Sequence, residues 1–444
     1  MRKCIRTKKN NIIINKKRLN KRLNNTCNNL SNNLTNKTLN GGRFLGEGSF
    51  GCVVTPAIPC YVKKGNSSKS SISNTSNTSN TSNKSNKKYN SKKIDKTVSK
   101  IIISPSEDDK EEITISNKLK KIDTKKQFFI TFDDACYIKK IPNDRSNTAR
   151  VEYNDDTRET YDILDNKKYD KEYCPIDLSL KPINLIMPYG GYDLLTVTNK
   201  KNNNPEIIFI RKLLFQNFKA CFKNLLNGIQ LMHSYRIVNR DIKKDNIMIN
   251  YIPKDTKDTK DQKNAPGKLD IKYIDFGLSS ILTPLYCQKM HNIDIRGSEH
   301  YISPELIISF YIFDNRGFDK IKNTINKEIK TKLISLKNSN LIINFDNSII
   351  ELHNNIKQEF KDKKILERFF GTDKEKEKYN GYLQKGDIFA LGVTIYELLN
   401  YYKYELKYEI SNYDKLVNLL EKMVRLNPDN RYNVQQCLFH PYFI

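Results

Sequence analysis

The sequence predicts an α+β fold in two lobes, a small β-rich one with a single main helix followed by a larger, mostly helical one. Three observations lead there. Apolar residues alternate around closely spaced glycines in Arg43–Val54 and resume in Thr97–Ser104, as strands of one sheet would. From about residue 207 onward apolar residues recur instead at the helical period of about 3.6 residues. Strands gathered first and helices after them belong to a segregated α+β plan rather than an alternating one.

Residues 1–40 are basic, rich in Asn and poor in aromatics, and are expected to form a disordered tail ahead of a folded domain over 41–444. In the first lobe, about 41–189, RFLGEGSFGCVV at 43–54 reads as two strands and a turn. Residues 65–93, with the repeat SNTSNTSNTSN, read as a flexible insert, because TVSKIIIS at 97–104 resumes the sheet. Ser106 followed by Glu107, Asp108 and Asp109 puts acid at a helix N-terminus, where it suits the helix dipole. Ile115, Leu119 and Ile122 then supply the apolar face. Residues 127–139 and 183–189 read as further strands. In the second lobe, about 190–444, Phe218, Phe222, Leu225, Ile229 and Met232 mark a buried helix. A polar insert is expected at 252–268 and a longer, partly helical one at 310–382, before a strongly helical section over 386–443.

The net charge of +27 is unevenly spread. Residues 1–100 hold 22 Lys or Arg against 2 Asp or Glu, whereas 101–444 hold 55 against 48. The folded part is therefore close to balanced. The excess lies in the tail and first insert, open to an acidic protein, a nucleic acid or another polyanion. The nine cysteines are scattered and form no Cys-x-x-Cys, so neither a disulfide framework nor a zinc site is expected. No stretch approaches the ~18–20 apolar residues of a membrane span. Near the N-terminus the apolar run is only Ile12–Ile14, too short for a signal peptide. A soluble, intracellular protein is expected.

LGEGSFGCV at 45–53 carries Gly46, Gly48 and Gly51. A dinucleotide fingerprint leads from a strand into a helix; here Val53 and Val54 lead into another strand. That suits a flap whose missing side chains let backbone N–H groups approach phosphates. VNRDIKKDN at 238–246 spaces three groups that phosphoryl transfer can use. Asp241 is a carboxylate to accept a hydroxyl's proton, Lys243 a cation for the transferring phosphoryl, and Asn246 an amide for a metal shell. IDFG at 274–277 adds Asp275 as a carboxylate able to hold Mg²⁺ against phosphates.

In this order the motifs resemble the eukaryotic-type protein kinase family over about 41–444, interrupted by the inserts. The resemblance implies an ATP-dependent serine/threonine protein kinase that uses Mg²⁺, or Mn²⁺ in its place, and acts on protein substrates. It implies Asp241 as catalytic base, Lys243 as the catalytic-loop lysine, and Asn246 and Asp275 as metal ligands. Its ATP site would comprise Leu45, Gly46, Gly48, Gly51, Val53, Lys100 and Glu112, with Met187 and Tyr189 in the hinge MPYGG. Lys100 is preferred to Lys63 as the phosphate-pairing lysine, because Lys63 would strand the low-complexity insert between the lysine and its helix partner. That partner is Glu112 or Glu111; Glu112, with Ile115 and Leu119 following it, is placed first. SPE at 303–305 resembles the family's Ala-Pro-Glu and implies an ion pair between Glu305 and Arg431. KGDIFALG at 385–392 resembles the buried helix whose Asp, here Asp387, props up the catalytic loop through backbone N–H groups. HPYF at 440–443 matches a common end of the fold.

Asn239 departs from the pattern, standing where the family has a His that packs against Phe276. The stretch between Gly392 and Met423 is shorter than in the family, and the 310–382 insert is expected to take over its docking role. The Asn, Lys and Ile bias with enlarged inserts resembles protein kinases of giant DNA viruses of the mimivirus type, which would place the protein in host cytoplasm or virion. Lys243, with Ser298 at the position that contacts it and Asp241, implies serine/threonine specificity. Arg240 could grip a phosphate on the activation segment, where Ser279, Ser280, Thr283 and Tyr286 are available. Three rival readings remain. A pseudokinase scaffold would need a lost catalytic residue, and Lys100, Asp241, Asn246 and Asp275 all stand. A small-molecule kinase would lack SPE with its distant Arg431. Polyanion binding as the main function would rest on residues 1–40 and be strongly salt-dependent.

Overall fold

The computed structural model describes residues 43–48, 51–55, 57, 97–138, 148–151, 174–177, 180–253, 267–282, 297–313, 317–359 and 373–444. The 1–40 tail, the 65–93 insert, Lys63, Thr283, Tyr286 and most of the 252–268 insert lie outside these residues. Strands β1 (Arg43–Gly48), β2 (Gly51–Thr55), β3 (Thr97–Ile102), β4 (Asp134–Tyr137), β5 (Thr148–Val151), β6 (Cys174–Asp177) and β7 (Ile183–Pro188) make up the strand-rich part. Five of them form an antiparallel sheet in the order β1-β2-β3-β7-β4, while β5 and β6 pair with each other.

Helix α1 (Glu107–Ile122) follows β3 and starts where the sequence predicts. Ser106 Oγ accepts from the Asp109 N–H, and the Asp109 carboxylate accepts from the Ser106 N–H at 2.6 Å, a reciprocal capping box. The helix serves two cores at once. Ile113 packs with Ile102, Phe132, Ala135, Ile183 and Leu185 under the sheet, and Ile115 and Leu119 join the larger core below it.

The strand expected over 127–139 is shorter than predicted, with β4 confined to Asp134–Tyr137. The reason is local. The Asp123 carboxylate accepts the N–H groups of Gln127, Phe128 and Phe129 at 2.8, 2.8 and 3.1 Å, so a side chain replaces a ladder there. No disulfide was expected either, yet Cys52 on β2 and Cys136 on β4 are each disulfide-bonded, and not to one another, since β3 and β7 lie between their strands. Scattered spacing in sequence does not report which β-carbons folding brings together. Cys221 and Cys437 are free and buried.

The larger part opens with β8 (Tyr192–Asp193), α2 (Leu194–Val197), α3 (Pro205–Gln216) and α4 (Phe218–Ser234). All five apolar residues that marked the buried helix are buried on α4. Next come β9 (Ile237–Val238), β10 (Ile247–Ile252), β11 (Lys268–Tyr273) and β12 (Ser280–Ile281). β10 pairs antiparallel with β11 and β8, and β12 with β9. The helices that follow are α5 (Pro304–Phe313), α6 (Phe318–Ile325), α7 (Thr331–Ser335), α8 (Phe345–Glu359), α9 (Asp373–Asn400), α10 (Tyr413–Met423) and α11 (Val434–Leu438). A π turn, Asn326–Lys330, joins α6 directly to α7.

The 310–382 insert thus begins inside α5 and ends inside α9. It is no appendage: Ile321, Ile325, Ile329, Leu333, Phe345, Ile349 and Ile356 are buried in the same core as α4 and α9. No helix among the described residues is long and apolar enough to cross a membrane.

Candidate active site

The glycine segment forms the β1–β2 hairpin, with Gly48 opposite Gly51, Gly46 opposite Val53, and a register shift between Phe44 and Gly46 that places Leu45 at a bulge. Lys100 lies mid-strand on β3, opposite Val53 of β2 and Leu185 of β7. Its ammonium is 2.6 Å from Glu112 Oε1 and 2.8 Å from Asp275 Oδ1. Of the two candidate glutamates, Glu111 and Glu112, the second is therefore the one brought to the lysine. Lys63 cannot be compared, lying outside the described residues.

Burial works against the Lys100 ammonium, but the carboxylates of Asp275 and Glu112 outweigh it and hold its pKa above the usual lysine value. For Glu112 burial dominates and raises the pKa, opposed by Lys100. Lys100 holds Asp275 below the ordinary carboxylate range, against the effect of burial. Glu112 Oε2 is buried without a hydrogen-bond partner. A Cβ on Gly277 would come within 3.2 Å of that oxygen and 3.4 Å of Asp275 Oδ1, so the turn after Asp275 needs the small residue.

The β10–β11 hairpin explains why Asn246 and Asp275 share a site. Ile247 pairs with Tyr273, so the residue before β10 and the residues after β11 emerge at one end of the ladder. The Ile274 N–H donates to the Asn246 carbonyl at 3.0 Å and fixes that neighbourhood. Asn246 donates its side-chain N–H to Asp241 Oδ2 at 2.8 Å and to the Asp241 carbonyl at 2.9 Å, which leaves its amide oxygen able to bind a cation. Asp275 and Asn246 both offer hard oxygen donors, which fit Mg²⁺. Asp275 itself has φ 58°, a left-handed conformation unusual outside glycine.

Asp241 is held from several sides. Ser298 Oγ donates to its Oδ1 at 2.7 Å, Lys243 Nζ is 3.3 Å from its Oδ2, and Lys243 donates to Ser298 Oγ at 2.5 Å. Its N–H donates to Asn239 Oδ1 at 3.0 Å. The loop backbone is anchored by Asp387 on α9, which accepts the N–H groups of Asn239 and Arg240 at 2.9 and 2.8 Å. His233 Nε2 also reaches Asp387 Oδ2 at 3.0 Å, a contact the sequence reading missed. Asn239 Nδ2 is buried without a partner. Phe276 instead packs edge-on against Phe129, ring centroids 5.8 Å apart.

Glu305 and Arg431 form a fully buried, bidentate pair at 2.7 and 2.9 Å. Arg431 is further satisfied by the carbonyls of Lys385, Arg425 and Leu426. Met187 lies one residue before the end of β7, opposite Val98, and the exposed Tyr189 follows Pro188 in the link to the helical part. Ser279 and Ser280, two of the expected phosphate acceptors, are buried, and Ser279 Oγ donates to the Asn239 carbonyl at 3.1 Å. Neither hydroxyl is open to a phosphate donor in this fold.

Residues 183–319 match the family described as protein kinase domain. Among curated proteins, the chain is similar to nitrogen permease reactivator protein of Saccharomyces cerevisiae, 29% identical over 34% of this chain and 18% of that protein. It is similar to the serine/threonine-protein kinase PRR2 of the same yeast, 30% identical over 30% of this chain and 16% of that protein. It is also similar to the serine/threonine-protein kinase AFC1 of Arabidopsis thaliana, 22% identical over 53% of this chain and 52% of that protein. The chain thus spans under a fifth of the two yeast relatives and about half of the plant one.

Proposed function

We propose that this chain, whose residues 183–319 match the protein kinase domain family, transfers the γ-phosphate of ATP to serine or threonine hydroxyls of protein substrates. The observation that carries the reading is the Ser298 hydroxyl, bonded to both Asp241 and Lys243 at 2.7 and 2.5 Å. The pair that would do the chemistry already accommodates a serine side chain. The serine/threonine kinases among the relatives support the same substrate class.

In this reading a substrate hydroxyl approaches Asp241, which accepts its proton, while Lys243 neutralises charge on the transferring phosphoryl. Asn246 and Ser298 hold the two carboxylate oxygens of Asp241 so that it cannot swing away. Lys100, positioned by Glu112, pairs with the nucleotide phosphates beneath the glycine hairpin of Leu45, Gly46, Gly48, Gly51 and Val53. Met187 and Tyr189 flank the adenine. Asn246 and Asp275 would hold Mg²⁺, which when bound offsets the negative charge of the phosphates.

Purified protein given Mg²⁺, radiolabelled ATP and a protein mixture should label serine and threonine. Asp241→Asn should slow labelling by about 10²–10⁴-fold. Equal labelling by the variant would overturn the mechanism, and labelling confined to tyrosine would overturn the specificity. Lys100→Met should abolish transfer and Lys63→Met should not; the reverse result would move the lysine to position 63.

A further inference from the structure

We propose that the helical insert clamps the substrate-receiving segment through Glu328 and Lys332, two positioning residues, and so holds that segment ordered without a phosphate. The proposal rests on the kinase reading above.

Ser298, bonded to Asp241 and Lys243, fixes where the segment meets the chemistry. The residues next along the chain therefore border the approach of a substrate hydroxyl. Gly297, just before it, has φ 134°, and a Cβ there would come within 2.8 Å of the Arg240 carbonyl. His300 has φ 71°, a conformation that costs a non-glycine residue and persists only with outside support. Glu328 supplies that support. Its Oε2 accepts the His300 backbone N–H at 3.3 Å, and its carbonyl accepts from His300 Nδ1 at 2.9 Å.

One residue further, Tyr301 is held by Lys332. The lysine ammonium lies 4.9 Å from the Tyr301 ring centroid and pairs with Glu397 on α9. Tyr301 donates its hydroxyl to the same Glu397 at 2.9 Å, and Lys244, three residues after Asp241, is 3.5 Å from it. One carboxylate thus ties together the insert, the segment and the catalytic loop. Lys332, Lys244 and Glu397 are all less than a fifth exposed, so the pairing is shielded from water and salt. Two insert residues four apart along one helix grip two consecutive residues of the segment.

Arg240, beside the base, is turned inward: its guanidinium lies 3.3 Å from the buried Ser280 hydroxyl, on a strand paired with β9. Among the described contacts, Ser298 is held by the catalytic loop, whereas His300 and Tyr301 are held by the insert together with Glu397.

Hydrogen exchange tests the clamp without requiring catalysis. Amides of 299–303 should exchange about tenfold faster in Glu328→Ala and in Lys332→Met than in the parent protein, with α4 and α9 unchanged. Lys332→Met should also raise KM for a protein substrate by about tenfold while leaving KM for ATP alone, and Lys332→Arg should recover most of it. Parent protein treated with phosphatase until its intact mass shows no phosphate should keep its protection and its rate. Unchanged exchange in both variants, or protection that disappears with the phosphate, would overturn the proposal. A protein that phosphorylates nothing yet keeps its 299–303 protection would sink the kinase reading and leave the clamp standing.

Discussion

Lys100 sets the protonation of its surroundings as well as its own. It holds Asp275 below the ordinary carboxylate pKa and opposes the burial that raises Glu112. A group with a depressed folded pKa contributes stability above its unfolded value, and that contribution is lost as pH falls through the folded one. Lys100→Met removes the cation and leaves two carboxylates facing each other, so the variant should be clearly less stable near neutral pH. Once both carboxylates take up protons the penalty fades. The gap in melting temperature between parent and variant should therefore shrink between about pH 7 and about pH 4, and a constant gap would refute the assignment. The choice of glutamate shows what one residue's sequence context can and cannot convey. Helical period places Glu111 and Glu112 both near the lysine. Only the docking of α1 buries Glu112, at 5% exposure, and turns it to Lys100.

Elements with a local cause were legible, and those with a tertiary one were not. Helix α1 starts on schedule because Ser106 and Asp109 satisfy each other's backbone groups, a device contained within four residues. Ser106→Ala should cost about 1 kcal/mol in urea unfolding, with Asp109→Asn costing less because an amide oxygen still accepts. The strand expected at 127–139 is cut to Asp134–Tyr137 for an equally physical reason, since Asp123 takes three N–H groups at its expected start. That depends on how the chain turns after α1, which alternation of side chains does not encode. The insert is the clearest case of hidden structure. Its polar composition suggested a partly helical excursion, yet Ile321, Ile325, Ile329, Ile349 and Ile356 enter the main core, and Glu328, Lys332 and Glu397 carried no motif that could single them out. The catalytic loop and Asp275 were readable because phosphoryl transfer restricts residue type at fixed spacing.

At the scale of the whole molecule, one fully buried polar contact joins parts far apart in sequence. The Glu305–Arg431 pair connects the start of α5 to the turn before α11, with both side chains wholly out of water. Removing one partner leaves an uncompensated buried charge, so Arg431→Met should cost about 3–5 kcal/mol. Removing both, in Glu305→Leu with Arg431→Met, should cost less than the single change. A double variant no more stable than Arg431→Met would argue against that account.

The π turn at Asn326–Lys330 has a consequence for helix phase. Ile321, Ile325, Ile329 and Leu333 recur every fourth residue, and a four-residue step overshoots one α-helical turn by about 40°. Over several steps such a stripe would spiral away from the core; one wider turn brings it back. Deleting a single residue from this turn should rotate everything downstream by about 100°. Ile321 and Ile325 would keep their places while Leu333 swung outward and Lys332 lost Glu397. The family resemblance of the motifs would survive such a deletion untouched, and the coupling between insert and active site would not.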